Sequence, residues 1–405
     1  MFPIMADPVT AAVQKLYDTY PFPPEPLSDQ PPPGYNWRWS WPAAYSFCTG
    51  RAPTTQAVKI LDAGCGTGVG TEYLAYLNPK AQITAVDLSQ GALTIAQERI
   101  YRLGAKNVTF HQASLLDNAL DLPGPFDLIN CVGVLHHLRD PDRGLANLAK
   151  QLGPGGIFHI FVYGELGRWE IKLMQEAIQI LQGDQRGDYT DGVQLGRQIF
   201  AALPDQNRLK QRETERWAME NVRDECFADM YVHPQEIDYT IPSLFAWLET
   251  TDLEFLGFSN PAIWRLERVL GDNPELLARA AHLSPKEKYR LIELLDPSSM
   301  THYEFFLGRP PLPNYTWTDP RELLGATPSL HPCLDGWPGN CLFNGFYELI
   351  HLTDPEMTFL QACQENQTQS VQALLPASSL TLAEVYSLWQ RQLILLTPHA
   401  GSTKE

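Results

Sequence analysis

Val58-Lys59-Ile60-Leu61-Asp62-Ala63-Gly64-Cys65-Gly66-Thr67-Gly68 reads as a buried strand running directly into an acid and three alternating glycines. Glycines after a strand let backbone N–H groups approach a ligand where side chains would block it. Dinucleotide sites use a related turn, spaced Gly-x-Gly-x-x-Gly. Here the spacing is Asp-x-Gly-x-Gly-x-Gly, and the acid precedes the glycines. A second strand, Gln82-Ile83-Thr84-Ala85-Val86-Asp87, ends in another acid about twenty residues on, where a ribose diol would lie.

Outward from that turn, strand and helix alternate. Strands are expected near 58–62, 82–87, 107–111, 126–132 and 156–162, with helices near 69–77, 90–103 and 141–151. Such alternation indicates right-handed crossovers and a parallel sheet. Gly153-Pro154-Gly155-Gly156 reads as a turn before the fifth strand, and Phe126–Val132 leads into Leu135-His136-His137-Leu138. Together, the Asp62–Gly68 turn, Asp87 and the Leu-His-His-Leu run resemble the class I S-adenosylmethionine-dependent methyltransferases. The resemblance implies an α/β fold with a Rossmann-like seven-stranded sheet, and S-adenosyl-L-methionine as methyl donor. It makes Asp252–Phe258 and Thr301–Phe306 the last two strands, with a helix near 274–295 between them.

Carried over residue by residue, the resemblance assigns Asp62, Gly64, Gly66, Gly68 and Asp87 to the cofactor. Asp87 would take the ribose hydroxyls; the alternative is an N-cap for the helix that follows. Ser114 stands where family members often carry an acid for the adenine. Cys131, at the end of strand four, joins the cofactor set. His136 is the first catalytic candidate, and a helix-packing role is its alternative. Asp229-Met230-Tyr231-Val232-His233-Pro234 supplies the others: His233 as a general base oriented by Asp229, or a purely structural turn. Tyr163 and Glu165 would face the same cleft. No metal is expected, since methyl transfer from a sulfonium is an in-line displacement, and His331, Cys333 and Cys341 lack a paired ligand spacing.

Over 405 residues the chain exceeds one such domain. Residues 1–50 are aromatic and proline-rich and read as a strap, over the cofactor mouth or simply on the surface. A core spans 51–310, with a helical cap insertion over 165–230. After Arg309-Pro310-Pro311-Leu312-Pro313, residues 311–405 read as a small winged-helix-like module, for interaction or for stability. This layout resembles the cyanobacterial methyltransferases that modify an asparagine of phycobiliproteins, which implies a protein acceptor, a phycobiliprotein β subunit. Amide methyltransferases of the glutamine and adenine type share Asn/Asp-Pro-Pro-Tyr after strand four, where this chain has Val132-Gly133-Val134-Leu135. Contacts to an asparagine amide must then come from Asn130, His136, Asp229 or His233. A small-molecule O-, N- or C-methyltransferase and a non-catalytic S-adenosylmethionine sensor are the rival readings.

The net charge of −17 disfavours a nucleic-acid partner, because phosphate binding needs Lys and Arg to release counterions. Residues 1–8 lack the basic and apolar regions of a signal peptide, and no apolar run reaches the roughly 18 residues of a membrane span. Seven scattered cysteines suit reduced thiols and a cytoplasmic location.

Overall fold

The computed structural model describes residues 7–117 and 120–399, so most of the signal-peptide expectation, Met1 to Ala6, lies outside the described residues. The central sheet has the strand order β3-β2-β1-β4-β5-β7-β6. Its strands are β1 (Lys59–Ala63), β2 (Gln82–Asp87), β3 (Val108–Gln112), β4 (Phe126–Val132), β5 (Leu152–Tyr163), β6 (Glu254–Phe258) and β7 (His302–Gly308). β1 to β5 pair in parallel, and β7 runs antiparallel to both neighbours. Both faces are covered, which is why the central strands carry apolar residues at successive positions. Leu61, Ile129, Phe158 and Phe305 join one core, and Ile60, Leu128, Ile157 and Phe306 join the opposite one.

Two local expectations need correction. Gly153–Gly156 is not a turn before β5 but part of it. The register jumps from Phe126↔Leu152 to Leu128↔Ile157, and the extra residues stay in the sheet because Gly155 N–H bonds Arg309 O (2.8 Å) and Arg309 N–H bonds Gly156 O (3.0 Å). The single helix near 274–295 is two helices, Pro274–Ala281 and Pro285–Leu295. Ser284 and Glu287 form a capping box that starts the second one, with Pro285 in its first turn.

The N-terminal segment is only partly extended. Asp7 caps a helix over Pro8–Thr19, and a second helix covers Trp41–Thr49. In both the proline sits in the first turn, where its missing N–H is not needed. The stretch between them is held by Arg99, which donates to Glu25 O (2.6 Å), Pro26 O (3.1 Å) and Thr67 O (3.1 Å) and pairs with Glu72 (3.3 Å). The cap contains helices Glu165–Gln182, Tyr189–Ala202, Arg208–Arg212 and Asp224–Tyr231. Ile171, Met174, Ile178, Val193 and Phe227 form its core, and Leu16 from the N-terminal helix is buried in it.

In the C-terminal module β8 (Thr327–Leu330) pairs antiparallel with β11 (Ile394–Thr397), and β9 (Cys341–Phe343) with β10 (Leu349–His351). Helices Asp354–Glu365, Val371–Ser378 and Leu382–Gln390 share its core. The helices are closed by β11, and β8 and the β9–β10 hairpin precede them. Trp317 Nε1–H donates to Gly50 O (2.6 Å) and Ala52 N–H to Leu396 O (2.8 Å), so the module closes on the segment that leads into β1.

Arg99→Leu should destabilise the protein by about 3–5 kcal/mol, the cost of leaving a buried partner uncompensated. Thermal unfolding would show a lower midpoint, and limited proteolysis would cut first between residues 20 and 36.

Candidate active site

Beyond the carboxyl ends of β1, β2 and β4 lies a cavity of ≈ 530 Å³. Its floor is the glycine turn. Gly64 N–H and Cys65 N–H both bond Val86 O (2.8 and 3.0 Å), which folds the turn back over β2. Gly66 has φ +52°, and a Cβ there would sit 2.4 Å from Phe22 O. Only glycine allows the N-terminal segment to pass so close, and Thr67 then bonds Phe22 O and Pro23 O (3.1 and 2.6 Å).

Asp62 is buried below the turn. Its carboxylate accepts from Thr71 Oγ1 (2.6 Å) and Asn130 Nδ2 (2.8 Å). Burial pushes it up to about 6 against those hydrogen bonds. Asp87 accepts from Gly66 N–H (2.8 Å) and Ser89 N–H (2.9 Å). Burial raises its pKa, and the two amides oppose that. The helix Gln90–Leu103 is capped by Ser89 and not by Asp87. The Asp87 carboxylate therefore lines the cavity with acceptor positions to spare, since an ionised carboxylate offers about four. Ser114 also lines it, although its Oγ already accepts from Leu116 N–H (3.2 Å). Glycine turn, carboxylate and volume fit an adenosyl donor.

Cys131 is a correction. Successive strand residues face opposite sides of the sheet. Asn130 and Val132 line the cavity, while Cys131 packs in the core beneath, where burial raises its thiol pKa. Asn130 is held in place from both sides, because its carbonyl accepts from His159 Nδ1 (2.8 Å) while its amide donates to Asp62.

The other end of the cavity is formed by Tyr17, His137, Tyr163, Arg168 and Asp229, with Trp217 and Asn221 from the cap. His136 is the second correction. It is fully buried, neither ring nitrogen has a partner, and its ring lies wedged between His137 and Tyr163, each 4.1 Å away by ring centre. The short helical turn Leu135–His137 points the first histidine into the body and the second to the cavity. His233 lies behind His137, stacked at 3.7 Å, and does not line the cavity. Asp229 does, and it accepts from Tyr17 Oη (2.9 Å). Burial raises Asp229, with His137 and Tyr17 opposing. His137, Asp229 and His233 each bring one potential ligand atom within 4.8 Å of the others. Tyr163 lies under the Arg168 guanidinium (3.4 Å), which Glu236 pairs at 3.0 Å; Glu165 stands outside the lining.

Sequence reasoning missed Tyr17, Arg168 and Trp217 in the cavity wall, and preferred His136 to His137. The adjacent histidines gave no basis for preferring one, and the other three come from segments far from any motif.

Residues 61–158 match a family model described as a methyltransferase domain. An uncharacterized protein of Synechococcus is 58% identical over 400 residues, covering 98% of this chain and 95% of that one. An uncharacterized phycocyanin operon protein W of Pseudanabaena tenuis is 63% identical over 99 residues, 24% of this chain and 93% of the relative. In fold, the chain resembles PKMT2 from Rickettsia typhi, solved in complex with AdoHcy, with a TM-score of 0.60 at 18% identity over 91% of this chain and 77% of that one. Among the described residues no helix is long and apolar enough to cross a membrane. With the domain matched across β1 to β5 and the glycine turn and Asp87 opening on one cavity, this chain belongs to the S-adenosylmethionine-dependent methyltransferases.

Proposed function

We propose that the protein methylates an asparagine side chain of a phycobiliprotein β subunit, in the cytoplasm. The observation that carries this reading is the 63% identical relative named for a phycocyanin operon. In support, the lining of the acceptor end includes Glu220 of the cap, which is exposed. Trp217, Glu220 and Asn221 line it, while the neighbouring Met219 and Val222 are exposed. An extended acceptor segment could lay a side chain inward there.

S-adenosylmethionine supplies a methyl on a sulfonium that leaves as a neutral thioether. In this proposal Gly64, Gly66 and Gly68 shape the turn that receives it, Asp87 takes the ribose, Ser114 borders the adenine, and Asp62 braces the turn from below. Asp229 and His233 serve the acceptor end, Asp229 from the cavity wall and His233 from behind His137. The N-terminal helix and the cap exclude water and align the reactants, which is most of what an in-line displacement asks of a protein.

A small-molecule acceptor is the second reading, favoured by the aromatic lining of Phe161, Tyr163 and Trp217.

Asp87→Ala should weaken donor binding at least about 100-fold, as expected for two lost hydrogen bonds to a charged group. Isothermal titration with S-adenosylhomocysteine measures this, and a retained fold is checked by circular dichroism. Unmethylated phycobiliprotein β subunit incubated with enzyme and donor should gain one methyl, mapped by tandem mass spectrometry to an asparagine and absent with Asp87→Ala. No gain on folded, unmethylated subunit would turn the assignment to small metabolites.

A further inference from the structure

Two stacked imidazoles at the acceptor end are held by the backbone of one residue. His137 Nδ1 lies 2.8 Å from Gln235 O, and a carbonyl only accepts, so His137 Nδ1 carries the proton. His233 Nδ1 accepts from Gln235 N–H at 3.1 Å, so the neutral His233 ring carries its proton on Nε2. Gln235 thus imposes opposite tautomers on the two rings. His137 keeps a lone pair on Nε2, and His233 keeps an N–H there, buried and without a partner. A divalent metal would need lone pairs from both rings, which these hydrogen bonds deny.

We propose that His137 is the catalytic base, taking the acceptor's proton on Nε2 during methyl transfer, with Asp229 and His233 as positioning residues. The proposal rests on the methyltransferase activity and not on the identity of the acceptor. The acceptor atom forms its bond to the methyl as the methyl–sulfur bond breaks, with that electron pair remaining on sulfur. The acceptor's proton passes to Nε2 of His137, and the imidazolium faces Asp229. The base then returns the proton to water when the product leaves.

The surroundings suit a neutral base. Burial lowers the pKa of His137 below the ordinary histidine value, while Asp229, Glu236 and the Gln235 carbonyl oppose that shift and Arg168 adds to it. The groups around it are His136, Tyr163 from β5, Arg168 from the helix Glu165–Gln182, Asp229, His233 and Glu236, while Tyr17 and Lys172 face the His233 ring behind it. The base form is full above the pKa and lost below it. kcat/KM should therefore rise with pH and level off at a break below the ordinary histidine value.

Two measurements on the full chain test this. Diethylpyrocarbonate, which acylates an accessible imidazole lone pair, should modify His137 and leave His136 and His233 untouched in peptide maps, with S-adenosylhomocysteine slowing the reaction. This readout needs no acceptor. With phycobiliprotein β subunit as acceptor, H137Q should lower kcat about 100-fold or more and remove the acid limb of the pH profile, with S-adenosylhomocysteine affinity unchanged as proof of folding. His233→Asn should reduce kcat less and keep the limb. Modification of His233 in place of His137, a kcat within about threefold of wild type for H137Q, or a stoichiometric metal lost in H137Q would overturn the proposal. Absence of turnover on the subunit with His137 still labelled would count against the acceptor assignment and not against the base.

Discussion

A hydrogen-bond ladder buried in the sheet holds the rest of this structure in place. Thr71 donates to Asp62, Asn130 bridges Asp62 to His159, His159 meets Glu304 at 3.2 Å, and Arg38 closes the line at 2.6 Å from Glu304. Asp62, Asn130, His159 and Glu304 come from β1, β4, β5 and β7, which are neighbours in the sheet. They share the face that Ile60, Leu128, Ile157 and Phe306 cover with apolar side chains. Polar groups at that depth survive only when each has its partner, and a chain of them strengthens its members. Although burial would raise it, the His159 hydrogen bond and the Arg38 charge hold the Glu304 carboxyl down to about 2. The ladder ties the glycine turn at one end to the N-terminal segment at the other.

That segment is part of the site wall. The carbonyl of Phe22 occupies the space a Cβ on Gly66 would fill, Arg99 grips Glu25 and Pro26, and Tyr17 reaches Asp229 across the cavity. Leu16 is buried in the cap core, so the wall and the cap are one packed unit over the sheet. Methyl transfer needs little covalent help from a protein, but it needs alignment and dryness. Phe22 and Pro23 pack on the glycine turn, and the C-terminal module anchors residues 49–52 just before β1.

Much of the glycine-turn end of the cavity was legible because it is local. Asp62, the glycines and Asp87 lie at strand ends, where the backbone turn and the side-chain direction follow from adjacent residues. Even there Cys131 was misread, because strand alternation puts Asn130 and Val132 on the cavity side and turns Cys131 to the core. The other end of the cavity is not local. Tyr17, His137, Arg168 and Asp229 come from four separate elements, and choosing between His136 and His137 required the geometry of one short helical turn.

The sequence by itself determined the α/β core, the glycine turn and the two strand-end acids, because periodicity and turn chemistry act over a few residues. Only the tertiary structure decided which histidine meets the cavity, which proton each ring carries, and that the N-terminal helix reaches Asp229. Those facts depend on contacts such as Gln235 with His137 and Tyr17 with Asp229, residues 98 and 212 positions apart, which no local pattern encodes.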